Sequence, residues 1–147
     1  MGGWYACDTV SHFSVAVSTT IDRPRDDVYA LVDDLTAHEQ WTDHFLTDWK
    51  VRDGVADVKV KGGGRSQIRA VSSTPDAVVE EGTDGKRRTR GTYALRPLGP
   101  AQTEVTFTNE MLERGSSVEK LADPLVKLLL RRNNARALAR LKTLMER

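Results

Sequence analysis

The residues of this sequence that could hold a metal ion or exchange protons are His38, Glu39, Asp43 and His44. On a helix, His38 and His44 lie six positions apart and face different directions, unlike the i and i+4 histidine pair of a helical zinc site. No cysteine lies nearby, and His12 would have to come from another element. We therefore predict that both histidines are exposed polar residues, and we expect no metal ion and no other cofactor.

A second group of candidates consists of polar residues on faces that otherwise point inward. Strand alternation places Asn109 on the same face as Phe107 and Met111. Tyr93 lies on an inward face of the preceding strand, and Asn133 lies on the apolar face of the last helix. A buried amide or phenol without a partner costs about 1–3 kcal/mol. We therefore expect each to bind a ligand, a water molecule or another of these side chains.

Two basic stretches raise the possibility of phosphate or nucleic-acid binding. Gly62–Gly64 follows a lysine, but a phosphate loop leads into a helix, whereas here a strand follows. In the run 86–90, strand alternation sends the basic side chains to both faces, and no interleaved aromatic residue is available for base stacking. We interpret the glycines as a hairpin turn and expect no nucleic-acid partner.

The totals fit one globular domain. The chain has 147 residues, of which 39% are hydrophobic and 29% charged, and a chain of this length can bury about two-thirds of its unfolded surface. Cys7 is the single cysteine, so the fold needs no intrachain disulfide and suits a reducing compartment. We predict a single domain over 1–147 with residues 1–10 loosely ordered, no membrane span, no visible secretory signal and a cytoplasmic location.

Hydrophobic periodicity gives the order of the elements that must position these candidates. Alternation predicts a first strand over residues 12–21, and helical spacing with Pro24 at the start predicts a short helix to about Leu35. Turn residues such as Asp53–Gly54 then separate short alternating segments. They predict five or six antiparallel strands, near 48–52, 55–61, 65–73, 77–82, 86–96 and 102–112.

The last element is predicted to be a long helix from about Ser116 to the end, kinked or divided at Pro124. One apolar face runs along it, but residues 121–130 are apolar over a wider arc than a one-sided helix needs. This part should therefore contact two things at once. A sheet curved around this helix would leave an apolar cavity of about 300–1,000 Å³ between them.

Several segments resemble a known superfamily. The stretch VAVSTTIDRPRDDVYALVDDLTAHEQW, the stretch GTYALRPLGPAQTEVTFTNEM and the closing NNARALARLKTLME are similar to START-like proteins, the SRPBCC superfamily of polyketide cyclases, lipid-transfer domains and the major birch pollen allergen. The resemblance implies an α+β helix-grip fold: a curved antiparallel sheet of about six to seven strands around a long C-terminal helix, with two short helices after the first strand. It also places Trp41 and Phe45 near the cavity entrance, although both could instead pack beneath the sheet edge.

The resemblance implies that the protein binds a small hydrophobic, lipid-like or polyketide-like molecule, as a monomer or homodimer. The alternative is a polyketide cyclase/aromatase or dehydratase that uses the same cavity, and a lesser one is a protein-binding module like the co-chaperone relatives. An enzyme needs a buried acid–base group, and the inward faces show no His–carboxylate pair, so we prefer ligand binding. The candidate cavity residues are Trp41, Phe45, Tyr93, Phe107, Asn109, Met111, Leu125, Leu129 and Asn133.

Overall fold

Seven strands and three helices form the part of the chain that the structure, a computed structural model, describes: residues 13–85, 87–113 and 123–147. A short 3₁₀ turn at Leu35–Ala37 separates the first two helices. The elements are β1 Phe13–Ile21, α1 Arg25–Val32, α2 Glu39–Thr42, β2 Leu46–Arg52, β3 Val55–Val60, β4 Arg65–Thr74, β5 Ala77–Thr83, β6 Arg88–Gly99, β7 Gln102–Glu113 and α3 Asp123–Met145.

All seven strands belong to one antiparallel sheet with the order β1-β7-β6-β5-β4-β3-β2. The six meander strands follow each other in space as in sequence, and β1 closes the order by pairing with β7. Helix α3 packs against β1 and α2. The predicted α+β helix-grip architecture is therefore confirmed, and the predicted strands agree with the observed ones to within a few residues.

The turn residues explain why the strands end where they do. Asp53 and Gly54 both have positive φ, 54° and 76°, as the tight turn between β2 and β3 requires. Gly62 lies at φ 79° in the turn between β3 and β4, and its freedom from a Cβ makes that conformation accessible. The glycine-rich stretch is therefore a hairpin turn, as predicted.

Helix α1 is shorter than predicted. Asp26 and Asp27 occupy its first turn, where their charge favours the positive end of the helix dipole, and its buried side includes Val28. The helix ends at Val32 because Asp34 adopts an extended conformation and its carboxylate accepts a hydrogen bond from the Thr36 amide at 3.0 Å. This cap starts the 3₁₀ turn and turns the chain towards α2.

Helix α3 supplies the central buried face. Ala137, Leu138 and Leu141 are buried and pack with residues of α1, β1 and the middle strands. The predicted start of this helix before Asp123, and the loosely ordered segment 1–10, lie outside the described residues. No helix in the described part of the chain is long and apolar enough to cross a membrane.

Two separate hydrophobic clusters frame the space beneath the sheet. The larger lies under β1, β7 and β6 and includes Trp41, Leu141 and Val105. The smaller lies at the other end of the sheet, around Ala56 and Val58. Since neither cluster fills the interior between them, the middle of the sheet stands away from α3.

Candidate functional site

A cavity of about 710 Å³ lies between the inner face of the sheet and α3. Its size is typical of a pocket for a small organic molecule. Apolar side chains of β3, β4, β7 and α3 line much of it, together with polar groups from β5, β6 and α2. The predicted cavity between sheet and helix is therefore confirmed.

The structure brings six of the nine candidate residues to the cavity. The residues that line it are Phe45, Tyr93, Phe107, Asn109, Met111 and Asn133. Leu125 and Leu129 do not line it: they are 59% and 48% exposed. The wide apolar arc of α3 thus turns one side to the cavity, through residues such as Val126 and Leu130, while these two leucines lie on its outer side.

Trp41 lies behind the cavity rather than in its lining. It is fully buried, and its indole Nε1 donates a hydrogen bond to Tyr93 Oη at 3.3 Å. The tryptophan that does line the cavity is Trp49. An irregularity in β2 between Thr47 and Lys50, with Asp48 at φ 52°, breaks the strand's alternation next to Trp49.

His38 is buried, which corrects the prediction that it is an exposed residue. It is 2% exposed, lines the cavity, and lies 4.8 Å from the Trp41 ring, centroid to centroid. Its Nδ1 is 3.6 Å from the Glu80 carboxylate on β5. The pair of buried histidine and carboxylate that we did not find in the sequence therefore exists.

The other ring nitrogen of His38 fixes its tautomer. Nε2 lies 2.7 Å from the carbonyl oxygen of Val32, and because a carbonyl can only accept, Nε2 carries a proton. In the neutral ring Nδ1 is then unprotonated and faces Glu80. One proton can therefore lie on either His38 or Glu80, so the pair can accept or release a proton within the cavity.

The surroundings of Glu80 favour its protonated form. Burial raises the pKa of Glu80 above its ordinary value, and the nearby His38 opposes part of this rise. Burial likewise raises the pKa of Tyr93, and the Glu80 charge adds to the rise. Tyr93 therefore stays a neutral phenol that accepts from Trp41 and keeps its own proton to donate.

Glu80 has room in the cavity because Gly91 is directly opposite it on β6. A Cβ added at Gly91 would lie 3.4 Å from Glu80 Cγ and only 2.8 Å from the Phe107 ring. The missing side chain thus lets the Phe107 ring and the Glu80 side chain pack over the backbone of β6.

Asn134 is a further polar residue in the lining that the sequence analysis missed. It is 2% exposed, follows Asn133 on α3, and its amide nitrogen has no hydrogen-bond partner. A buried donor without a partner is costly. An acceptor on a molecule bound in the cavity could satisfy this donor.

Changing Glu80 to glutamine is expected to alter the pH dependence of stability. Since the native pKa of Glu80 lies above its unfolded value, its stabilising contribution is complete below about pH 4.5 and is lost as pH rises through the native pKa. A glutamine side chain has nearly the same size and stays neutral at every pH. In urea unfolding, the free energy of unfolding of the variant should therefore increase relative to that of the wild type when the pH is raised from about 5 to about 8. An equal difference at both pH values would contradict this assignment.

His44 is the second histidine that the structure corrects, since it is half-buried beside α3. Its Nε2 donates to the Asn133 carbonyl oxygen at 3.0 Å, and its Nδ1 accepts from Arg140 at 2.9 Å. Burial lowers the pKa of His44, with Arg136 and Arg140 adding to the effect. His44 is therefore a neutral ring that connects α2 to α3.

Within the described ranges, no three or more His, Cys, Asp and Glu side chains come together in a way that could hold a metal ion. The polar groups that line the cavity include one acid–histidine pair, one phenol and three asparagine amides. They can orient a molecule by hydrogen bonds and exchange a proton with it.

Comparison with known proteins decides the family. The polyketide cyclase/dehydrase and lipid transport family matches residues 12–146. The chain belongs to this family. The helix-grip architecture described above agrees with this assignment, and the resemblance to START-like proteins is confirmed. Among curated proteins, none matches the chain.

Solved structures of similar fold agree with this family. A START superfamily protein from Mycobacterium smegmatis is 15% identical, with a TM-score of 0.74 over 90% of this chain and 97% of its own. The ZhuI aromatase/cyclase from a Streptomyces species is 14% identical, with a TM-score of 0.70 over 92% of this chain and 94% of its own. At such identities the likeness shows the fold alone.

Proposed function

We propose that the protein binds a small, mainly apolar molecule in the cavity between the sheet and α3. The observation that carries this proposal is the 710 Å³ space itself, which the two hydrophobic clusters leave open. Protein interiors are otherwise packed to the density of organic crystals, so an unfilled space of this size favours a ligand. The description of the family, which includes lipid transport, agrees with it.

The polar lining indicates how such a molecule would be oriented. Glu80 in its protonated form donates a hydrogen bond, and so does the free amide of Asn134. Both lie among apolar side chains such as Phe107 and Leu138. The ligand that fits is therefore apolar over most of its surface and carries one or two hydrogen-bond acceptors, such as carbonyl oxygens.

Binding of an anilinonaphthalene dye is expected to be saturable and to change the emission of Trp49, because this indole lines the cavity whereas Trp41 does not. Two variants separate the signals: one keeps Trp49 alone, with Trp4 and Trp41 changed to phenylalanine. The other keeps Trp41 alone, with Trp4 and Trp49 changed. Only the first should show a large change. A dye that does not saturate, or that leaves Trp49 unchanged, would contradict cavity binding.

A second candidate function is catalysis, and the His38–Glu80 pair is the specific observation that favours it. The pair can take a proton from an acidic C–H of a bound polyketone and return it to a departing hydroxyl group, which leaves as water. The aromatase/cyclase of similar fold makes a polyketide-like substrate the natural first choice.

The same binding assay distinguishes the two functions when it is followed by mass spectrometry of the bound molecule. A pure binding protein returns a polyketone analogue unchanged. An enzyme returns it with the mass of one water lost, and Glu80→Gln, which cannot accept the proton, should lower that conversion by about 100-fold or more while the dye still binds. Equal conversion by the variant would exclude Glu80 as the acid–base group.

A further inference from the structure

A second concave site shares Lys61 with the cavity, and four of its eight described lining residues are cationic. We call it the basic groove; it is formed by residues of the β2–β3 hairpin on one side and by α3 on the other. Its described lining residues are Asp43, His44, Thr47, Lys59, Lys61, Gly62, Arg136 and Arg140. Lys59 is paired with Thr47 across the hairpin, and the Lys61 amide donates to the Phe45 carbonyl oxygen at 2.9 Å.

The charges of the groove come from two independent elements. Lys59 and Lys61 lie two positions apart at the end of β3, while Arg136 and Arg140 lie four positions apart on one face of α3. The backbone therefore fixes four cations around one groove. Like charges held close together repel each other, so this arrangement is stabilised by an anion between them.

The nearest carboxylate does not neutralise the groove. Asp43 forms an ion pair with Arg140, whose guanidinium also donates hydrogen bonds to His44 Nδ1 and the Gln40 carbonyl oxygen. Among the described residues, Lys59, Lys61 and Arg136 make no ion pair and are exposed. Three cations thus remain available to an anion.

The titration of neighbouring groups agrees with a positive local potential. The hydrogen bond from Arg140 lowers the pKa of Asp43, and the charges of Arg140 and Arg136 add to this. The same two arginines help burial to lower the pKa of His44. His44 is therefore neutral. The positive charge of the groove is left for an acidic group of a bound molecule to balance.

The groove adjoins the cavity at Lys61. Lys61 lines both sites, and the turn that follows it contributes Gly62 to the groove and Gly63 and Gly64 to the cavity. A molecule seated in the cavity can therefore reach Lys61 with a polar end. Arg and Lys side chains that converge in this way are suited to bind phosphate oxygens.

We propose that the basic groove binds the phosphate headgroup of an amphiphile whose apolar part occupies the cavity. This inference rests on the proposed binding function and adds the chemical class of the ligand: an apolar chain or ring system that ends in a phosphate. Lys59, Lys61 and Arg136 bind the phosphate, while Arg140 holds Asp43 and His44 in place.

The test compares decyl phosphate with decanol, below their micelle concentrations, by isothermal titration calorimetry. The phosphate should bind at least about tenfold more tightly, which corresponds to about 1.4 kcal/mol, and added salt should reduce this gain. The variant with Lys59 and Arg136 changed to glutamine, two residues that line the groove but not the cavity, should lose most of the gain and bind decanol as before. An equal affinity for the two probes in the wild type would overturn the groove assignment.

A matched variant controls for net charge. Arg131 and Arg132 are exposed and line neither site, so changing both to glutamine removes the same charge and should keep the gain. Inorganic phosphate is the third probe: if it binds as tightly as decyl phosphate, the groove is a free-anion site and the headgroup assignment is overturned. If neither decanol nor decyl phosphate binds, the proposed function itself fails, whereas decanol binding without the phosphate gain refutes only the groove.

Discussion

Replacing His38 by alanine is expected to lower the free energy of unfolding by about 3 kcal/mol, the sum of a cavity and of buried groups left without partners. The ring is 2% exposed and packs against Trp41. Its loss leaves the Val32 carbonyl oxygen and the Glu80 carboxyl group without their histidine partner. Urea unfolding monitored by circular dichroism measures the change.

Two further variants make this result specific. Gln40 is exposed in α2, two residues after His38, so Gln40→Ala should change the free energy of unfolding by less than about 0.5 kcal/mol. In a double-mutant cycle, Glu80→Ala should cost less in the His38→Ala background than alone, because its partner is already gone. A His38→Ala effect as small as that of Gln40→Ala would show that the ring is not the buried link described here.

Replacing Gly91 by alanine is expected to cost about 1–3 kcal/mol of stability, the usual penalty of overpacking, and to weaken ligand binding by about tenfold or more. The new methyl group would lie 2.8 Å from the Phe107 ring, which must move. Because Phe107 lines the cavity and packs 4.5 Å from the Tyr93 ring, centroid to centroid, its displacement reduces the space for a ligand.

The control for Gly91 lies on the same strand. A Cβ at Gly99 would meet no atom within 4 Å, and its φ is not positive, so Gly99→Ala should leave both dye affinity and stability nearly unchanged. Dye titration and urea unfolding of the two variants measure both effects. Undiminished dye affinity in Gly91→Ala would place the ligand away from Phe107.

Local sequence patterns were sufficient to predict the strands, their order along the chain and the closing helix. Alternation along β7 correctly placed Phe107 and Asn109 inward, and Asp53–Gly54 correctly marked a hairpin. These signals are reliable because side-chain alternation and turn geometry depend on neighbouring residues. The cavity was also predicted, although part of the wide apolar arc that suggested it, including Leu125 and Leu129, lies exposed on the outer side of α3.

Local patterns of the same kind could also have identified part of the polar site. Alternation from the buried Val78 places Glu80 on the inner face of β5, so this residue could have been found in the sequence. Likewise, Ala37 and Trp41 are four positions apart and both buried, with His38 between them on the same side. What no local pattern shows is that the histidine and the carboxylate meet, 42 positions apart in the chain.

The tertiary structure alone decided which indole lines the cavity and where the acid–base pair lies. The irregularity at Asp48 shifts the register of β2, and a one-residue shift exchanges the two faces of a strand. Trp49 therefore lines the cavity, while Trp41 supports Tyr93 from behind. His38 approaches Glu80 because the Asp34 cap ends α1 and redirects the chain across the sheet. Such contacts depend on how elements that are distant in the chain pack against each other. The sequence pattern of each element is the same whether or not the contact forms, so the pattern cannot reveal it.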